Sequence, residues 1–291
     1  MKLGVRVPSA AGQDSGAPAG VAGRRRADPR PRWPPAALWV PFLLAMAFIV
    51  LPLAGLVWKA PWGHVWTDLG SSTVGTALRL SLECSLGAMV IAAVLGMPLA
   101  WVLARVALPG RSLIRALTML PMVLPPVVGG VALLLAFGRA GLVGQWLYRA
   151  TGFSLPFTTW GAMVAEAFVA MPFLTLTVEA GLRSADPRFE EAAATLGAGR
   201  WTTFRRVTIP MVAPSLAAGL ALAWARALGE FGATITFAGN FPGTTQTIPI
   251  SVYVALETQP DVAIVLSLLL LAVSIVVLAS LRDRWFPAGA G

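Results

Sequence analysis

Six apolar stretches, each close to the ~20 residues a helix needs to cross the hydrocarbon of a bilayer, recur along this chain and leave it few ways to fold. They cover residues 38–57, 86–104, 113–137, 160–178, 211–225 and 262–281, and only Arg115 and Glu166 bring charge into them. A spanning segment must satisfy its own backbone hydrogen bonds, so the expected fold is all-α and polytopic, with about six transmembrane helices. The count is least secure around residues 229–256, where apolar and polar residues mix.

A net charge of +9 in a soluble protein would point to nucleic acid, but the positions of the charges point to a membrane orientation. With the N-terminus inside, six crossings put Lys2, Arg6, Arg24, Arg25, Arg26, Arg30 and Arg32 in the cytoplasm. The same side receives Arg105, Arg111 and Arg115, then Arg183, Arg188, Arg200, Arg205 and Arg206, and finally Arg282 and Arg284. Lys59, Arg139 and Arg149 fall outside, so the positive-inside rule places both termini in the cytoplasm and excludes nucleic acid as a partner. The lone Cys84 rules out an internal disulfide or a multi-thiolate metal site. The lone His64, between Trp62 and Trp66, suits the headgroup region better than a metal.

Residues 1–35, rich in Gly, Ala, Pro and Arg, are expected to be a disordered cytoplasmic tail. Their length and the long apolar segment after them favour an uncleaved first helix over a signal peptide. Residues 36–285 form the expected membrane domain, and 286–291 a C-terminal tail. The outer loops 59–72 and 138–159 are too short to be domains. The inner loop 182–210 is too long for a turn and too polar for lipid.

Within that loop, Asp186 to Gly197 carries the punctuation of a short helix: Asp186 to cap it, Pro187 in its first turn and Gly197 for a left-handed residue after its end. The ten residues between span roughly 15 Å, too little to cross a bilayer, so the helix should lie along the cytoplasmic surface. Glu190 and Glu191 then offer carboxylates to basic partners. An amphipathic interfacial helix is the plainer reading of this pattern.

The longer spacing tips the balance. Glu191-Ala192-Ala193, Gly197, Val207, Ile209 and Pro210 stand at the spacing of the EAA loop, and this region resembles that of ABC-importer permeases, with Val207 and Ile209 as conservative departures. The resemblance implies a type I importer permease fold in which Glu190, Glu191, Ala192, Ala193, Gly197 and Pro210 belong to a coupling loop, whose short helix docks in a separate ATPase and which leads to Pro210 at the start of the next membrane helix. The chain has no phosphate-binding Gly-x-x-x-x-Gly-Lys loop, and its two lysines, Lys2 and Lys59, lie elsewhere, so ATP and Mg would bind to that partner.

Residues 225–240 and 242–249, with Leu124-Pro125-Pro126-Val127-Val128-Gly129-Gly130 and Leu155-Pro156-Phe157-Thr158, resemble the molybdate permeases; sulfate permeases share the Ala-Arg-Ala and Gly-Glu-Phe-Gly core. The resemblance runs from about residue 78 to 281. It implies an inner-membrane subunit, a second permease copy beside it, two ATP-binding subunits, an extracytoplasmic oxyanion-binding protein and molybdate or tungstate as cargo, with sulfate the alternative. Arg226 and Glu230, four apart, are expected to form an internal ion pair, a structural role being favoured over a direct one in moving the anion. Gly232 is a candidate for close packing or a gate, and Pro125-Pro126 for a break in a membrane helix beside the pathway. Glu83, Glu166 and Glu179 keep a proton-coupled secondary transporter in view, but no inverted repeat accompanies them. The residues offer no nucleophile with a base and no metal-ligand cluster, so no catalytic residue is expected.

Overall fold

The computed structural model describes residues 36–285, all of it helix, turn and loop, so the readings for residues 1–35 and 286–291 fall outside the described residues. After a short 3-10 turn at Ala36–Leu38 come α1 (Trp39–Trp58), α2 (Val65–Leu69), α3 (Ser72–Arg105), α4 (Arg111–Val123), α5 (Pro126–Phe137), α6 (Gly144–Thr151) and α7 (Thr159–Ser184). The second half holds α8 (Arg188–Thr195), α9 (Arg200–Thr203), α10 (Ile209–Leu228), α11 (Gly232–Ala238), α12 (Ile248–Thr258) and α13 (Pro260–Trp285). By its contacts the chain divides at Val50. Before that point lies the apolar first part of α1; the bundle described below is the unit from Leu51 onward.

Five of the described helices are long and apolar enough to cross a membrane, and the bent pair α4–α5 makes a sixth if it is one span. The expected single stretch 113–137 is therefore two helices, turned by 117° at their junction. The cause is local. A residue before proline is driven out of the α region, and Leu124 (ψ 135°) and Pro125 (ψ 132°) are both extended, so the helix ends and restarts at Pro126. The helix expected over 86–104 starts earlier, at Ser72, because Ser71 caps it by accepting from the Val74 amide and Arg79 pairs with Glu83 on an exposed face. The unassigned stretch 229–256 holds the short α11 and α12, neither long enough to span.

α7 is the axis of the bundle: 67% of its apolar window is buried, against 28% for α3 and 22% for the helix through α10. A stripe of small residues on α3 (Ala77, Ser81, Cys84, Ser85, Ala88, Ala92, Gly96, Ala100) forms its buried face. Lipid gives helices no hydrophobic reason to associate, so close backbone approach over small residues supplies the packing. A Cβ at Gly96 would stand 2.8 Å from the Thr175 hydroxyl of α7. α10 packs on both α3 and α7, and the Trp224 indole donates to the Ser85 hydroxyl at 2.9 Å.

The tightest joint lies between α5 and α11. A Cβ on Gly130 would sit 2.6 Å from the Thr236 Cβ and 2.9 Å from the Ala233 carbonyl oxygen, and one on Gly232 would sit 2.7 Å from the Pro126 Cβ. Gly130→Val should therefore force the two helices apart and cost about 1–3 kcal/mol, the usual range for overpacking. Gly75→Ala, whose Cβ meets nothing within 4 Å, should not destabilise the detergent-solubilised protein and should raise its thermal unfolding slightly, because alanine is the better helix former.

Candidate functional site

The inner loop folds as its punctuation requires. The Asp186 carboxylate accepts from the Arg188 amide at 3.0 Å at the start of α8. At the other end Gly197 adopts φ +81°, its amide donates to the Ala194 carbonyl and the Ala198 amide donates to Ala193, which is the paired bonding of a Schellman cap. The result is a short rod, the eight residues Arg188–Thr195, closed at both ends. Glu191, Ala192 and Gly197 are exposed on it and Ala193 is half-buried. Phe189 is 62% and Leu196 87% exposed, a large apolar area for a loop carrying so many charges.

Glu190 departs from expectation. Its Oε1 accepts from the Thr208 hydroxyl at 2.8 Å and lies 3.4 Å from the Arg105 guanidinium, so it faces the bundle and is not offered outward. One carboxylate thereby fastens α8 to the end of α3 and to the turn that leads into α10. A second, Glu179 near the end of α7, has its side chain 5% exposed and binds Arg115 of α4 together with Arg183 at 3.0 Å on its own helix. Arg111 caps the end of α3 by donating to the Leu103 and Ala104 carbonyls. Arg105, Arg111, Arg115 and Arg183, which the sequence offered only as topological markers, thus each have a structural task.

The helix entering the membrane also differs from the expected start at Pro210. It runs continuously from Arg200 to Leu228, through a π-helical turn at Phe204–Thr208. Pro210 has no amide to give to the preceding turn and its ring crowds the carbonyl four residues back, so the turn widens ahead of it. Pro210 itself is exposed.

At the far end of α10 the expected pair forms: Arg226 meets Glu230 at 2.7 Å, with Glu230 1% exposed and Arg226 30%. The other Glu230 oxygen accepts from the Ala233 amide at 2.8 Å, so the same side chain also caps α11. Gly232 and Pro126, far apart in sequence, meet here, while Pro125 and Pro126 themselves are exposed. Of the three carboxylates considered for a proton relay, Glu83 lies exposed beside Arg79, Glu179 is taken up by arginines, and Glu166 is buried with Oε2 unpartnered. Among the described residues no group of three His, Cys, Asp or Glu stands ready for a metal.

Comparison with known proteins places this geometry. Residues 92–286 match the family model described as binding-protein-dependent transport system inner membrane component. The molybdenum transport system permease protein ModB of Mycobacterium tuberculosis is 42% identical over 256 residues, covering 87% of this chain and 94% of that protein. The sulfate transport system permease protein CysT of Escherichia coli is 37% identical over 246 residues, covering 82% and 88%. A crystal structure of a bacterial ABC transporter involved in the import of the acidic polysaccharide alginate superposes with a TM-score of 0.69 at 20% identity, over 85% of this chain and 93% of that one.

Removing the Glu179 carboxylate leaves two arginines without their shared counter-charge at a nearly closed site. Glu179→Gln should lower stability by roughly 1–3 kcal/mol, as when a buried charged partner is lost. Glu83→Gln, which breaks an exposed pair, should cost under about 0.5 kcal/mol. Thermal unfolding of both variants in the same detergent checks the contrast.

Proposed function

Because the chain belongs to the family of binding-protein-dependent transport system inner membrane components, and is thus a multi-pass transport subunit of an ABC importer, we propose that it passes molybdate inward under the control of a separate ATPase. The observation that carries the coupling half of this reading is the capped rod α8, with Phe189 and Leu196 bare and Glu190 pinned to two membrane helices. A lever needs a stiff contact surface and a fixed joint, and α8 has both. Glu191, Ala192, Ala193 and Gly197 form its outward part, Glu190 the joint, and Pro210 sets the π turn through which the push enters α10. The positive-inside distribution supports a cytoplasmic position for this loop and for both termini.

From the joint, α10 carries displacement over its 20 residues, about 30 Å, to the Arg226–Glu230 pair. There Glu230 holds the start of α11, whose Gly232 lies against Pro126 at the break between α4 and α5. Moving α10 would shift this joint, which makes Arg226, Glu230, Gly232, Pro125 and Pro126 the candidate gate. Arg226 works here by holding Glu230, since a free cation on the path would retain an anion that has to leave.

A second copy of this chain would complete the pathway, with one ATP- and Mg-binding subunit under each copy and an extracytoplasmic binding protein supplying the cargo. The identity of that cargo rests on the relatives. The molybdenum permease matches more of this chain at higher identity than the sulfate permease does, and all three candidate anions are tetrahedral and dianionic. Tungstate, nearly the same size as molybdate, should travel with it.

Proteoliposomes holding the assembled importer should take up molybdate only with ATP inside and the binding protein outside. Unlabelled tungstate should compete and sulfate should not. Sulfate competing as well as molybdate would move the assignment to the sulfate class, and uptake driven by a proton gradient alone would remove the ATPase from the scheme. Gly197→Pro, which forbids φ +81° and deletes the amide that closes α8, should abolish uptake, as should Glu191→Lys, while membrane insertion persists. Full transport by either correctly assembled variant would sink the coupling role of α8.

A further inference from the structure

An apolar groove of about 810 Å³ opens between the inner half of α3 and the segment that follows α8. Ala93, Val94, Met97, Pro98, Trp101 and Val102 form one wall, and Arg200, Trp201 and Phe204 form the other. Three features of this groove belong together. Its walls are almost wholly apolar and Val94 within it is 64% exposed, so in a membrane chain it faces hydrocarbon. Trp101 and Trp201 border it, Trp201 being 70% exposed and stacked on Phe204, as befits the headgroup boundary. Arg200 lines it on the loop side, followed along the chain by Arg205 and Arg206. Among the described residues none of these three has a carboxylate partner, and no acidic residue lines the groove.

An unpaired cation at the interfacial end of an apolar slot complements a negatively charged headgroup with an acyl chain attached. We propose that this groove binds an anionic phospholipid, its phosphate at Arg200 and an acyl chain between α3 and Trp201–Phe204. The lipid would brace the segment between α8 and α10 against α3. A zwitterionic lipid offers the same chain with no net charge, and a second protein chain would bring its own side chains to the arginine; both alternatives are separable from this one. The proposal stands on the groove itself and does not depend on which anion is transported.

The test uses the full-length permease in its assembled complex, given phosphatidylglycerol and phosphatidylcholine of identical acyl chains in equal amounts. Retained lipid is counted by native mass spectrometry. The wild type should hold phosphatidylglycerol over phosphatidylcholine by roughly five-fold, about what one interfacial cation contributes. Arg200→Gln should bring the ratio to parity. Val94→Trp, which fills the groove and leaves the charge, should remove the retained lipid of both kinds. Arg200 is exposed, so its replacement leaves the fold intact even if the bulkier variant does not assemble. Parity in the wild type, or an unchanged ratio in Arg200→Gln, overturns the proposal. So does displacement of the lipid by glycerol phosphate, which has no chain, or a crosslink from Trp201→Cys to a second polypeptide.

Discussion

A carboxylate that stays ionised out of water must find donors or cations, and in this protein that requirement fixes three of the joints between helices. Glu190 answers it with Thr208 and Arg105, Glu179 with Arg115 and Arg183, and Glu230 with Arg226 and the start of α11. Each partner set includes a group on another helix or at the start of one. Elsewhere the bundle is held by close packing over small residues, with a few hydroxyl contacts such as Trp224 to Ser85. These three carboxylates set positions, because moving any of them strands a charge.

The interruptions in the membrane helices serve the same arrangement. Pro125 and Pro126 end α4 and restart α5, bringing Gly130 against Ala233 and Thr236 and Gly232 against Pro126, across a joint that a methyl group would wedge open. A continuous helix over residues 113–137 would have carried α5 away from α11 and left that face of α11 uncovered. Glu179 meanwhile ties α4, the first half of the broken pair, to the end of α7. The break therefore lies between two fixed points, one of them beside the loop that carries α8.

Much of this was legible from residue order. Apolar runs gave the membrane helices, Asp186, Pro187 and Gly197 gave the ends of α8, and the four-residue spacing gave Arg226–Glu230, because each depends on neighbours along the chain. What was not legible depends on distant segments. Glu190 and Arg105 are 85 residues apart, and Arg115 and Glu179 are 64 apart, with no periodicity linking them. The same lack hid the inward turn of Glu190: on an isolated helix it looks as available as Glu191. Helix α3 ran longer than its apolar core because Arg79 and Glu83 neutralise each other at i,i+4. The widened turn before Pro210 follows from proline chemistry, but its placement within a continuous helix required knowing that the helix begins at Arg200.

That widened turn also sets an angle. Each residue advances an α-helix by about 100°, and a π turn inserts one extra residue into the winding. Residues 200–203 and α10 thus share an axis but not a phase. Deleting one residue within Phe204–Thr208 would restore regular winding and swing everything ahead of it, α8 included, by about a quarter of a revolution relative to the membrane portion. Phe189 and Leu196 would then point elsewhere with their own helix chemically untouched. The number of residues in this turn, as much as their identity, sets the direction in which the rod presents its face.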